Sequence, residues 1–173
     1  TIYGIDWAGL SVGSELRRVL DQERSLTYLQ YHQLDGAGFA EEIHAGISHQ
    51  LQVEDRDRLR TRARHDVQGF DVHTYGAFVS FKSPSSIGQL LYGAECYHDE
   101  VDSFKRTLNP DGSVLSTAIQ GPVGDDATYD TLGFYLQDEL PLTQRLSLLL
   151  GGRYELAQAD ADALAVDRRV GLQ

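Results

Sequence analysis

Apolar and polar positions alternate along much of this chain. Over residues 43–54 the odd positions read Ile43, Ala45, Ile47, His49, Leu51 and Val53, and the even positions His44, Gly46, Ser48, Gln50, Gln52 and Glu54. A period of two over that length predicts a strand with one apolar and one polar face, because a helix would mix the two sets around its circumference. Four further stretches repeat the pattern. In 72–82, Tyr75, Ala77, Val79 and Phe81 oppose Thr74, Gly76, Ser80 and Lys82, with Phe78 as the exception. In 89–100, Leu90, Tyr92, Ala94 and Cys96 oppose Gly93, Glu95, Tyr97 and Asp99. In 131–140, Leu132, Phe134, Leu136 and Leu140 oppose Thr131, Gly133, Tyr135, Gln137 and Glu139. In 145–155, Leu146, Leu148, Leu150 and Tyr154 oppose Arg145, Ser147, Gly151, Arg153 and Glu155. Residues 24–33, rich in Leu and Tyr, predict one more strand with poorer alternation.

The joins alternate in length. Residues 34–40, 83–88 and 141–144 are short, whereas 55–69, 101–128 and the stretch from 157 onward are long, polar and charged. Asn109-Pro110-Asp111-Gly112 and Gly121-Pro122 punctuate the second long join as turns. Tight and long joins in alternation predict an all-β, antiparallel up-and-down meander of about six strands, with one plain and one elaborated end. A transmembrane β-barrel has this form. So does a soluble β-sandwich or lipocalin-like barrel, which would turn Leu132, Phe134, Leu146 and Leu148 into a core. Three features favour the membrane form. The polar faces carry Gly, Ser, Thr, Gln and Tyr, lysines are few, and Tyr75, Phe81, Tyr92 and Tyr154 are expected near strand ends, where interface girdles lie.

Composition narrows the functional classes. The 173 residues carry a formal net charge of -11, against the basic surface of a nucleic-acid binder. Cys96 is the single cysteine and forms no internal bridge. No run of about 20 apolar residues is present, so no transmembrane helix is expected, which leaves strands of about 9–11 residues as a means of crossing. The chain has no methionine and opens at Thr1 in structured-looking sequence, so an internal piece of a larger protein is expected. No Gly-x-Ser-x-Gly, phosphate-binding Gly-Lys-Ser/Thr loop or dinucleotide fingerprint occurs. Asp99/Glu100 and Asp138/Glu139 are sequence neighbours that point to opposite faces of a strand, a poor acid/base pair. No enzyme activity, cofactor or metal site is expected.

One region carries a family resemblance. Leu132-Gly133-Phe134-Tyr135-Leu136-Gln137-Asp138-Glu139-Leu140, followed by Leu142 and by Arg145-Leu146-Ser147-Leu148-Leu149-Leu150-Gly151-Gly152-Arg153-Tyr154-Glu155, resembles a strand–turn–strand unit of TonB-dependent outer-membrane receptors. The stretch 91–103 is similar to the preceding strand and loop entry of haem- and siderophore-type receptors, and the likeness extends over about residues 24–156. The resemblance implies that residues 1–173 are a partial β-barrel domain lying in the cell outer membrane as a multi-pass barrel. It further implies a complete barrel of about 22 strands around a plug, with the plug and TonB box outside this sequence. The implied activity is energised uptake of a scarce solute such as a ferric siderophore or haem. The implied partners are a TonB-type energising complex, outer-membrane lipid and a small-molecule iron complex, with no nucleic acid. A passive porin-like barrel is the nearest alternative.

The candidate ligand-binding residues are Arg56, Arg58, Arg60, Arg62 and Arg64, at every second position of the charged segment. If the strand from Ile43 runs on, they continue its even, lumen-facing set. A column of guanidinium forks suits siderophore carboxylates or haem propionates. The competing reading is a solvated loop whose arginines pair with Asp55, Asp57 and Asp66 or meet lipopolysaccharide phosphates. The six histidines show no zinc-enzyme spacing. His44 is expected to face the lumen and His49 lipid. Asp160, Asp162 and Asp167 lack the glycine turn and bidentate glutamate of an EF-hand loop.

Overall fold

The computed structural model describes residues 15–36, 38–62, 64–86, 88–120 and 124–161. The described residues form one antiparallel sheet: β1 (Glu15–Gln33), β2 (Glu42–Arg60), β3 (Arg64–Pro84), β4 (Gln89–Leu108), β5 (Val114–Ala118), β6 (Ala127–Thr143) and β7 (Leu146–Asp160). The order is β1-β2-β3-β4-β6-β7, with β5 paired to the far half of β4. Every long strand therefore lies beside its neighbour in sequence, as the meander requires. β1 and β7 are the two edges.

The alternation sets the two faces. Across the ladders Ile43 lies opposite Phe81, Phe81 opposite Tyr92, and Tyr92 opposite Leu136. Leu29, Ile47, Ala77, Cys96, Leu132 and Leu156 fall in another such row. These rows share one face, which is apolar towards the tight-turn end. The opposite face carries His44, Ser48, Gln50, Thr74, Ser80, Thr131 and Gln137.

Among the described residues, neither face is covered by a second layer. Ala40 is the only buried hydrophobic residue among those described. Leu132 (38 % exposed), Phe134 (46 %), Leu146 (57 %) and Leu148 (41 %), the core of a soluble sandwich, stay open. A sheet with a wide uncovered apolar face suits a molecule whose solvent on that side is hydrocarbon.

Aromatic rings lie on glycines across the polar face. Phe78 faces Gly46, Tyr97 faces Gly76 and Tyr135 faces Gly93 across successive ladders. A Cβ at Gly46 would lie 2.6 Å from the Phe78 ring, at Gly76 2.8 Å from the Tyr97 ring, and at Gly93 2.7 Å from the Tyr135 ring. Each ring covers the neighbour nearer the N-terminus. This explains Phe78, the exception to alternation: it is an aromatic on the polar face because a glycine lies beneath it.

Several joins are tighter than the sequence suggests. Residues 55–69 are not a long loop. β2 runs to Arg60, β3 begins at Arg64, and Arg62 turns the chain with a φ of 64°. The stretch 101–128 holds the end of β4 and the short β5, joined through a turn with Gly112 at a φ of 86°. β1 begins at Glu15, well before residue 24, and β7 reaches Asp160. The turn at 141–144 also shifts. Pro141 pairs with Ser147 inside β6, and a register shift follows between Pro141 and Thr143, a bulge where a missing N–H does little harm. Tyr75 lies well inside β3 rather than near its end, because β3 extends to Arg64. Phe81 and Tyr92 are near the tight-turn end, where their rings stack at 5.3 Å and Phe39 joins Phe81 at 5.4 Å.

Candidate ligand-binding face

The segment 55–60 continues β2 with its period intact but its chemistry changed. Asp55 and Asp57 prolong the odd set, and Arg56, Arg58 and Arg60 prolong the even, polar-face set. With Arg64, which lies opposite Arg60, four of the five expected arginines thus share one face. Arg62 sits exposed in the turn, and Arg64 opens β3 opposite Arg60 at the exposed mouth of the hairpin. The five do not form a single free column.

Asp66 divides them. Its carboxylate lies opposite Arg58, only 4 % exposed. It accepts from Arg58 Nη2 at 3.2 Å and from Arg60. Glu15 Oε1 lies 3.5 Å from Arg58 Nη1. Burial pulls the Asp66 carboxyl upward, but the hydrogen bonds and charges of Arg60 and Arg58 outweigh it and hold the group below its ordinary 3.8. On the other face Asp57 accepts from Arg17 at 2.8 Å and lies 3.0 Å from the His65 ring. Of the pairings weighed from the sequence, the one with Asp66 is present, whereas Asp57 takes Arg17 of β1 instead of an arginine of the segment, and Asp55 takes none among the described residues.

Arg56 differs from its neighbours. Among the described residues its side chain has no hydrogen bond or ion pair. Burial lowers its pKa from the ordinary arginine value, the charges of Arg58 and Arg18 add to that, and those of Glu54 and Glu15 oppose it. Beside it in register is Gln68, and beyond Gln68 lies Lys105 of β4. Gln68 is 5 % exposed. Sequence reasoning missed Gln68 and Lys105. The available signal was the persistence of period two through Asp66, Gln68 and Phe70, which carries the polar face across the hairpin.

His44 and His49 fall on opposite faces, as expected. His44 is on the polar face, edge-on to Phe78 at 4.9 Å. His49, His73, Tyr75 and His98 form a belt on the apolar face. His49 Nε2 lies 3.1 Å from His73 Nδ1, the rings of His49 and Tyr75 stack at 4.9 Å, and His98 Nδ1 meets Asp130 at 2.7 Å. Cys96 is free and exposed on that face. No group of three or more His, Cys, Asp or Glu able to hold a metal ion occurs among the described residues. Asp162 and Asp167 lie outside those residues.

Comparison with known proteins gives one match. A family model described as TonB dependent receptor-like, beta-barrel, matches residues 4–171. No curated protein and no solved structure matches.

Proposed function

Because this chain belongs to the TonB-dependent receptor family of β-barrels, we propose that it supplies part of the wall of an active transporter that takes up a scarce iron chelate such as a ferric siderophore or haem. The family is one of outer-membrane transporters, not enzymes. In this reading the strands cross the outer membrane repeatedly, with the apolar face in lipid and the polar face towards the lumen. Further strands pair with β1 and β7 to close the barrel. A plug and TonB box elsewhere in the receptor couple it to the energising complex. Residues 1–173 then form a partial barrel domain.

One observation supports this reading above the others: the described residues fold as a single sheet in which Ala40 is the only buried hydrophobic residue. A sheet open on both sides needs a different solvent on each, and a barrel in a bilayer supplies lipid outside and water inside. Strand length agrees. A crossing takes about 9–11 residues, while β2, β3 and β4 have 19, 21 and 20. About half of each strand stands beyond the bilayer, raising the arginine-bearing hairpin to where a solute would first be met.

The test is growth on a single iron source. Cells lacking the receptor should fail to grow on its cognate ferric chelate when iron is otherwise withheld, and so should cells that keep the receptor but lack the energising protein. Uptake that persists without energisation would favour a passive porin-like barrel and overturn the proposal.

A further inference from the structure

We propose that the apolar face binds a lipid with a phosphoethanolamine head, its acyl chain in a groove of small residues, its phosphate at His49 and His73, and its ammonium at Asp71, Asp102 and Glu100. The assignment rests on the placement of that face in lipid and goes beyond it by naming the lipid. The groove is the first observation. Ala77 and Cys96 lie between Ile47 and Leu132 in one row, and Ala94 lies between Val79 and Phe134 in the next. These short side chains leave a hollow of about 480 Å³. A second hollow, of about 680 Å³, shares Ala77, Cys96 and Leu132 with the first and carries it up to Tyr75, His98 and Asp130.

Above the groove the face changes in two steps. The first is the histidine pair. His49 Nε2 and His73 Nδ1 share one hydrogen bond at 3.1 Å. Whichever neutral ring donates it, the other keeps its proton on the far nitrogen, so one N–H is left over, at His49 Nδ1 or at His73 Nε2. Neither of those atoms has a partner among the described residues. A phosphate oxygen accepts from such a donor. The second step is acidic. Asp71 and Asp102 lie directly opposite one another, and Glu100, which meets His98 at 3.4 Å, borders them. Like charges opposed across a ladder destabilise it, and a cation between them removes that cost. Neither aspartate has an ion pair among the described residues. No lysine or arginine falls in the three rows that run from Thr27, Ser25 and Glu23 across the sheet. An ammonium suits this place because it donates to carboxylates without a fixed coordination shell. From the tight-turn end outward the order is hydrocarbon, donor, carboxylate. The lipid has the matching order of acyl chain, phosphate, ammonium. A phosphocholine head has no N–H to donate, and a phosphoglycerol head has no positive charge.

The receptor carrying this chain, purified in detergent, is titrated with phosphatidylethanolamine, phosphatidylcholine and phosphatidylglycerol of identical acyl chains, and bound lipids are counted by native mass spectrometry. The wild type should hold phosphatidylethanolamine about fivefold more tightly than either of the others. Asp71→Asn combined with Asp102→Asn should abolish that preference and leave phosphatidylcholine binding unchanged. Taking away two opposed charges relieves the ladder, so this variant keeps its fold. His49→Phe combined with His73→Phe keeps the rings and should weaken all three lipids alike, because all three carry the phosphate. Gln50→Ala, at the same height on the opposite face, should change none of them. Equal binding of the three lipids by the wild type, a preference for phosphatidylglycerol, or a preference that survives in the Asn pair would overturn the site. A loss in Gln50→Ala equal to that in the Phe pair would assign the histidine effect to the fold and remove the phosphate contact. The preference should persist in EDTA. Its loss there would put a phosphate-bridging metal ion in place of the ammonium and overturn the assignment. Growth on the iron chelate does not depend on the lipid head, so this site and the transporter reading can fail separately.

Discussion

The two halves of the same strands obey one geometry and two chemistries. Towards the tight turns, β2 and β3 alternate mainly aliphatic or aromatic residues with Gly, Ser and Thr, and β4 sets Leu90, Tyr92, Ala94 and Cys96 against Leu91, Gly93, Glu95 and Tyr97. Beyond the His49–Tyr75–His98 belt the ladders continue without a break, but in β2 the alternation becomes one of charge. Asp55 and Asp57 lie on one side, and Arg56, Arg58 and Arg60 on the other. In the transporter reading proposed above, the lower half is held in place by the lipid it faces. The upper half is held by pairings within the sheet, such as Asp66 with Arg58 and Arg60. Strand pairing thus continues where hydrophobic alternation stops.

The largest effect that could break this comparison is a charge on the apolar face. Ile47→Arg should destabilise the barrel by about 2–4 kcal/mol if Ile47 lies near the bilayer midplane, and Val67→Arg, of the same facial parity but in the upper half, by about 0–1 kcal/mol. Unfolding by urea in phospholipid vesicles measures both. Similar values would mean that both halves face one solvent, and the division would fail.

Next in size is the glycine stripe of the lower half. At Gly93 a methyl group would press on the Val79 carbonyl as well as on the Tyr135 ring, so backbone must move. Gly93→Ala should cost about 1–3 kcal/mol. Gly152→Ala, where nothing lies within 4 Å, should be close to neutral in the same assay. A neutral Gly93→Ala would show that the ring moves aside freely and that the stripe carries no specificity.

The smallest effect sharpens the upper half. The Asp66 carboxyl titrates below its ordinary 3.8, so its contribution is present above that pH and is lost as pH falls through the depressed folded value. Amide hydrogen exchange should show residues 58–66 losing protection in acid before residues 43–47 do. Asp66→Asn should abolish that difference. An unchanged pH profile in the variant would assign the protection to the backbone ladder alone.

The same comparison explains what the sequence made legible. The lower half of each strand, its facing and its order were readable because hydropathy alternates there. Residues 55–69 read as a loop because Asp and Arg are both strongly polar, so a hydropathy pattern is flat where the charge pattern is regular. β5 was invisible for a different reason: five exposed residues borrow their order from β4 and have no face of their own to bury. At the candidate site, the shared face of Arg56, Arg58 and Arg60 followed from spacing. That Asp66 would engage two of them and leave Arg56 beside Gln68 and Lys105 depends on which residue falls opposite which, and only the folded ladder sets that.

The rings resting on glycines have a consequence for assembly. Alternation alone rejects a slip of one residue, which would turn every side chain over, but tolerates a slip of two. Shifted by two, Phe78 would meet His44 or Ser48 instead of Gly46, Tyr97 would meet Thr74 or Phe78, and Tyr135 would meet Leu91 or Glu95. Each misalignment sets a ring against a side chain where the native pairing offers an empty socket. As β3, β4 and β6 each join the strand before them, each carries its own key to that strand, and errors that hydropathy would pass are refused by shape.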